Sequence, residues 1–385
     1  MLYKRLLNIG LALITISAVL LGCAPTSEET GEIEEIEEVV IGVYEPMTGA
    51  QAAGGVQTMQ GVDLAYAQKD EVLGVPVRMV LVDNRGDKAE SATAMTRLIE
   101  QENAIAVVGS YGSSNSMAGG EVSEAAGIPV MGCSPTNPLV TEGKDYYFRA
   151  CFIDPFQGRV MAKYATEQGI EKVAIIQNIS QDYSVGLAAF FKQSWIDLTG
   201  SEEGIVSETS YQDGDQDFTA QLSDIGDAEA IFAPGYYGDA ALLMKQAREM
   251  GFTGLFMGTD AWEAPELVQI AGDSAEGAVF SSHYSAEAAT TPASAPFVDA
   301  FEAEYGEAPS AMAALGYDAY MLVIDAIERA GSFDPEDIRD AMAATENFEG
   351  VTGYITINET GDAVKDAVVL EVQDGEFKYL STVSP

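Results

Sequence analysis

The sequence predicts an α/β protein made of two doubly wound lobes, each built on a parallel sheet. Short runs rich in Val, Ile and Ala alternate with longer segments whose apolar residues recur at helical spacing, which is the signature of parallel strands covered by helices on both faces. The alternation runs through once, to residue 131, and begins again at residue 157. Length and composition agree: 385 residues are enough for two or three cores, and 47% hydrophobic with 21% charged residues is a globular balance.

Residues 39–44, Val-Val-Ile-Gly-Val-Tyr, read as a buried strand from their β-branched content. Val56, Met59, Val62, Ala65 and Tyr66 then fall on one helical face, predicting a helix over 56–69. Strands follow at 77–82, 104–108 and 128–131, with helices at 88–100 and 116–126 between them. The second cycle has helices at 157–168, 185–198, 218–225 and 239–250 and strands at 172–177, 205–210, 230–233 and 255–257. The tail breaks this rhythm with three successive helices, 293–305, 311–330 and 335–343. The last is opened by Asp334-Pro335, a capping acid followed by a proline at the first helical position. Strands at 351–357 and 367–372 end the pattern, as if the chain returned to finish each lobe in turn.

The charge balance narrows the function. With 61 acidic and 19 basic side chains the formal net charge is -42, so the chain lacks the basic face that a nucleic-acid backbone requires. One His in the whole sequence leaves little room for imidazole catalysis or metal ligation. An acidic surface poor in Lys suits salt-rich surroundings, where the screening length shrinks to about 3 Å at 1 M. At the N-terminus, Lys4 and Arg5 precede an uncharged apolar run that ends in Leu20-Leu21-Gly22-Cys23. This resembles the lipobox of prokaryotic lipoproteins: residues 1–22 are expected to be a signal peptide and Cys23 the lipidated N-terminus. Residues 23–38 hold seven Glu and no Lys or Arg, and are expected to be a solvated tether.

Seven short segments appear in order: 46–49 (Pro-Met-Thr-Gly), 107–110 (Val-Val-Gly-Ser), 134–138 (Ser-Pro-Thr-Asn-Pro), 147–149 (Tyr-Phe-Arg), 217–219 (Asp-Phe-Thr), 256–258 (Phe-Met-Gly) and 275–277 (Ala-Glu-Gly). Their order and spacing resemble the extracytoplasmic solute-binding proteins of branched-chain amino acid ABC transporters, and the resemblance covers nearly everything from Val39 onward. It implies a type I periplasmic-binding-protein fold, with two lobes joined by a three-crossing hinge and the ligand between them. The crossings are expected near Asp154, Tyr284 and Val351. One lobe would comprise residues 39–154 with 285–350, the other 155–284 with 351–385.

In doubly wound sheets ligands sit beyond the C-terminal strand ends, at helix N-termini. The loop Gly109–Ser114 opens a helix and offers backbone N–H groups and hydroxyls suited to a carboxylate. In proteins of the resembled kind the position of Ser113 binds the ligand's α-carboxylate, and those of Ser134 and Thr136 bind its α-groups. Asp260 falls where the family places an acid for the α-ammonium. That acid is often Glu there, and Asp is shorter. Tyr183 and Tyr236 match aromatics that close over the ligand. Helix capping by Ser113, Ser114 or Asp260 and a plain turn at Pro135 are the competing readings. Gly54 and Gly55 leave the first loop without bulk, while Trp262 adds bulk beside Asp260.

Other chemistries find little support. No nucleophile elbow, Walker motif or dinucleotide fingerprint is present. The stretch 213–217 imitates the start of a calcium loop but has Phe218 at the sixth position and Asp224 at the twelfth, and reads as a turn into a helix. His283, near an expected crossing, reads as a surface residue. Cys133 and Cys151 have no expected pairing, and a disulfide carried by some relatives would fall on Gly86 and Gly112 here. The sequence therefore points to a monomeric, lipid-anchored binding protein with no cofactor, metal or nucleic-acid partner. It would pass a small solute, an amino acid first of all, to ABC permease subunits. The alternative is the same module used as a sensor or as a binder of amides, urea or aromatic acids.

Overall fold

The computed structural model describes residues 36–288 and 291–385. The signal peptide, Cys23 and most of the expected tether lie outside them. In the first half β1 (Val39–Glu45), β2 (Glu71–Val72), β3 (Val75–Asp83), β4 (Ala106–Val108), β5 (Val130–Gly132) and β6 (Tyr147–Arg149) form a six-stranded sheet in the order β2-β3-β1-β4-β5-β6. Only the β2–β3 hairpin is antiparallel. Every residue of β1 is buried, as a central parallel strand with covered faces requires. The connecting helices are α1 (Ala52–Gln68), α2 (Lys88–Glu100) and α3 (Ser113–Ala126).

The second cycle contains α4 (Asp154–Glu167), β7 (Val173–Asn178), α5 (Asp182–Thr199), β8 (Ile205–Tyr211), α6 (Thr219–Ser223), β9 (Ala230–Phe232), α7 (Tyr237–Glu249), β10 (Leu255–Gly258), α8 (Pro265–Ala271) and β11 (Val279–Ser282). These strands are parallel. The sheet is completed by two antiparallel strands from the end of the chain, β15 (Ala367–Gln373) and β16 (Glu376–Val383), giving the order β16-β15-β11-β10-β9-β7-β8. Between β11 and β15 run α9 (Ser294–Tyr305), α10 (Ala311–Ala330), α11 (Pro335–Ala343) and a small antiparallel sheet of β12 (Phe348–Gly350), β13 (Gly353–Ile357) and β14 (Ala363–Val364).

Past Val351 the chain still packs against the first sheet. Ile355, Ile357 and Ala363 pack in the core beneath the first sheet, with Leu315, Val323 and Ile338. The Arg149 guanidinium, wholly buried, pairs with Asp362 at 2.7 Å. The chain therefore stays with the first core past Val351 and joins the second sheet only at Ala367. Of the small sheet, β13 falls within the strand expected at 351–357, while β12 and β14 are too short to leave a periodic pattern. The helix expected at 218–225 is reduced to one turn, because Asp217 caps Thr219 and the segment ends at Asp224.

Two glycines let α1 and α10 meet at backbone distance. A Cβ on Gly61 would lie 1.7 Å from the Ala313 carbonyl oxygen, and one on Gly316 would lie 2.2 Å from that of Thr58. Only glycine permits such an approach without displacing a helix. This contact packs the late helix α10 directly against α1.

Candidate functional site

The strand order reverses between β1 and β4 in one sheet and between β7 and β9 in the other. Loops leaving these strands diverge and open a crevice at each switch point. The two crevices face each other. Across them Tyr237 donates its hydroxyl to the Ala50 carbonyl at 2.8 Å, and the Ala53 N–H donates to the same hydroxyl at 3.2 Å. Asp182 joins the rims: it pairs with Lys88 at 2.6 Å and exchanges hydrogen bonds with the Ser114 hydroxyl at 3.1 Å, while Asn137 donates to its carbonyl at 2.9 Å. Gly186 allows this approach, since a Cβ there would lie 2.7 Å from the Asn137 side-chain nitrogen.

Inside the closed crevice the most heavily bonded polar group is Asp260, which follows β10 and is 3% exposed. Its Oδ1 accepts from Gln157 Nε2 and from the Tyr183 hydroxyl, both at 2.6 Å. Its Oδ2 lies 3.1 Å from His283 Nε2. A carboxylate oxygen only accepts, so Nε2 carries the proton. All three donors are neutral groups. Among the described residues no Lys or Arg nitrogen lies within ion-pair distance of Asp260. Burial pushes the His283 imidazole below its ordinary value, and the hydrogen bond to Asp260 opposes that push.

Asp154, at the start of α4, is a second carboxylate in this region. It is wholly buried, and neither oxygen has a hydrogen-bond partner among the described residues. Burial drives its carboxyl well above the usual carboxylate range; Thr136 opposes this, and the charge of Asp260 adds to it. Thr136 Oγ1, Tyr236 Oη, Thr259 Oγ1, Gln157 Oε1 and Gln51 Oε1 are also buried and unpartnered. Orphaned polar atoms are uncommon in folded interiors, and a polar ligand is one way to satisfy them.

The expected site residues occupy these positions as follows. Ser113 begins α3, and its Oγ accepts from the Asn137 N–H at 3.2 Å; the cap residue is Gly112. Ser134 donates to the Tyr111 carbonyl at 3.2 Å. Tyr183 lies in the first turn of α5 and Tyr236 at the cap of α7, with ring centroids 5.5 Å apart. Tyr236 also stacks near Tyr111, at 5.7 Å. The bulk absent from Gly54 is supplied by Tyr111, whose ring comes within 2.3 Å of where a Cβ on Gly54 would lie. Trp262 is turned away into the second core against Gly258 and Phe280, so it does not narrow the crevice.

Sequence reasoning missed Asp154 as a site residue, together with Gln157, Tyr237 and His283. Asp154 was read only as a crossing. The surface position expected for His283 is wrong: the residue is 2% exposed, and its ring lies 3.8 Å from that of Phe152. Its being the sole His was the available signal. Cys133 and Cys151 are both buried free thiols. Asp213, in the calcium-like stretch, is occupied by hydrogen bonds from Asn178 and Gln181, both at 2.7 Å.

Two switch-point crevices with buried, unpartnered polar groups between them are the arrangement by which open α/β folds bind small polar ligands. Sequence comparison names the family. The family model described as periplasmic binding protein matches residues 38–376, and the chain belongs to that family. Among solved structures it is similar to the leucine binding protein LivK of Thermotoga maritima, at 42% identity and a TM-score of 0.88 over 90% of this chain and 99% of that one. It is also similar to the branched-chain amino acid transporter substrate binding protein LivJ of Streptococcus pneumoniae, solved in complex with isoleucine: 32% identity, TM-score 0.84, 90% of this chain and all of that one. A curated relative is the leucine-, isoleucine-, valine-, threonine- and alanine-binding protein of Pseudomonas aeruginosa, 27% identical over 85% of this chain and 87% of its own length. The class is extracytoplasmic, and among the described residues no helix is long and apolar enough to cross a membrane.

Proposed function

We propose that the protein binds a zwitterionic amino acid between its lobes and delivers it to an ABC permease, without chemical conversion. Asp260 is the observation that carries this reading. It is a buried carboxylate held by neutral donors, with Asp154 nearby and no Lys or Arg paired to it among the described residues. A buried charge without a counter-charge is costly, and a ligand ammonium would supply one. The donors of the 109–114 loop and the α3 N-terminus, including Ser113, would take the carboxylate; Ser134 and Thr136 would hold the α-groups, and Tyr183 and Tyr236 would cover the ligand. Asp154 is a further acceptor for the ammonium. Only the closed form offers both ends of the zwitterion their partners, so the ligand's differential affinity drives closure.

The lobes are assigned as residues 39–154 with 285–364 and 155–284 with 365–385. Packing of Ile355 and Ala363 under the first sheet supports the last boundary. The monomer would hang from lipid on Cys23, outside the cytoplasm. A thermal-shift panel of free amino acids, amides, urea and aromatic acids tests the ligand class. The expected result is stabilisation by amino acids. Stabilisation by benzoates or amides alone would transfer the reading to the alternative.

A further inference from the structure

An ionised carboxylate has about four acceptor positions, two on each oxygen. On Asp260, Oδ1 is filled by Gln157 and Tyr183, and Oδ2 holds one bond, from His283. One position remains, and it is on Oδ2. We propose that His283 is the positioning residue of the ammonium subsite and its pH gate: it shares Oδ2 of Asp260 with the ligand's ammonium, so a second proton on the imidazole expels the ligand. The inference rests on the amino-acid reading above.

With its ring neutral, His283 donates to Oδ2 and turns the carboxylate so that the free position faces the crevice. With its ring charged, the imidazolium neutralises Asp260 and sets a like charge beside the ammonium. Among the described residues Asp260 is the only acid within hydrogen-bond distance of the ring. One face lies on Phe152, and Nδ1 is buried without a partner. Lys365, buried between β14 and β15, acts on the ring with positive charge, while Asp318 on α10 acts on Lys365. Asp154 on α4 and Glu263 after β10 are the remaining acids around Asp260. Closure therefore selects the neutral imidazole. A group whose charged form is disfavoured in the closed state supports binding above its open-state pKa and withdraws that support as pH falls through it.

The test is calorimetric titration of the tag-free full chain with leucine from pH 5 to 8, in the native protein and in His283→Gln. The glutamine amide donates to Oδ2 but does not charge. Below about pH 6.5, the ordinary imidazole value, the native dissociation constant should rise up to tenfold per pH unit relative to that of the variant, as expected for one linked proton. A merely structural His283 would leave the variant offset from the native protein by the same factor at every pH. Because the chain has a single His, its NMR signal reports this imidazole alone, and leucine should move its titration to lower pH. This second measurement serves even if the variant fails to fold. Parallel pH profiles, or an imidazole titration unmoved by leucine, overturn the gate and leave the amino-acid reading standing. Absence of binding by leucine and by every other free amino acid at every pH overturns both.

Discussion

Replacing Asp260 by Asn keeps the shape of the side chain and removes its charge. The three donors around it, from Gln157, Tyr183 and His283, then meet one amide that accepts through a single oxygen. Whichever way the amide turns, its N–H₂ faces at least one donor, and the ligand ammonium loses its counter-charge. Truncating one partner of a buried, hydrogen-bonded charge pair costs about 2–5 kcal/mol. At 1.4 kcal/mol per tenfold, amino-acid affinity should fall by about 30-fold to a few thousand-fold. Calorimetry with leucine measures this directly. Repeating it with the 2-hydroxy analogue of leucine, which lacks the ammonium, completes a cycle: the native protein should discriminate strongly between the two ligands and Asp260→Asn much less. A loss under threefold for leucine, or equal discrimination by both proteins, would refute the assignment of Asp260 to the ammonium.

Tyr183→Phe removes one charge-assisted bond to Asp260 and should weaken leucine binding by about 1.5–3 kcal/mol with little change in melting temperature; unchanged affinity would place Tyr183 outside the site. Asp182→Ala breaks an exposed rim contact with Lys88 and Ser114; it should cost about 0.2–1 kcal/mol of binding, and the deficit should shrink as salt is raised, which titrations at two ionic strengths would show. Gly61→Ala drives a methyl group into the Ala313 carbonyl and should destabilise by about 1–3 kcal/mol, read as a melting temperature lowered by a few degrees. Glu45 is buried, and burial raises its carboxyl to about 8. Between about pH 4.5 and that value the unfolded chain ionises while the folded one resists, so Glu45 erodes stability as pH rises through the window. The melting temperature of Glu45→Gln relative to the native protein should therefore climb from pH 5 to pH 8, and a flat difference would contradict the burial argument.

The alternating half of the fold was legible because a fully buried parallel strand and an amphipathic helix each leave a periodic trace. β1 and α10 are examples. β6, β11 and β16 were missed for a physical reason: two are only three or four residues long, and β16 is an exposed antiparallel edge carrying Glu376 and Lys378, with no apolar run to betray it. The candidate site divides in the same way. Ser113, Thr136 and Asp260 follow strands into loops, where topology draws the eye. Asp154, Gln157 and His283 are set apart by burial, and burial of a single polar residue leaves no local signature in a sequence. Asp154 followed by Pro155 reads as an ordinary helix start, and only the closed crevice reveals its oxygens as unpartnered.

The near-contact of Gly186 with Asn137 makes the missing side chain a working part of the rim. A Cβ at position 186 would lie 2.7 Å from the Asn137 nitrogen that donates to the Asp182 carbonyl, so any larger residue there would push against the same segment that Lys88 and Ser114 hold. The seam is therefore kept shut as much by an empty space as by its hydrogen bonds.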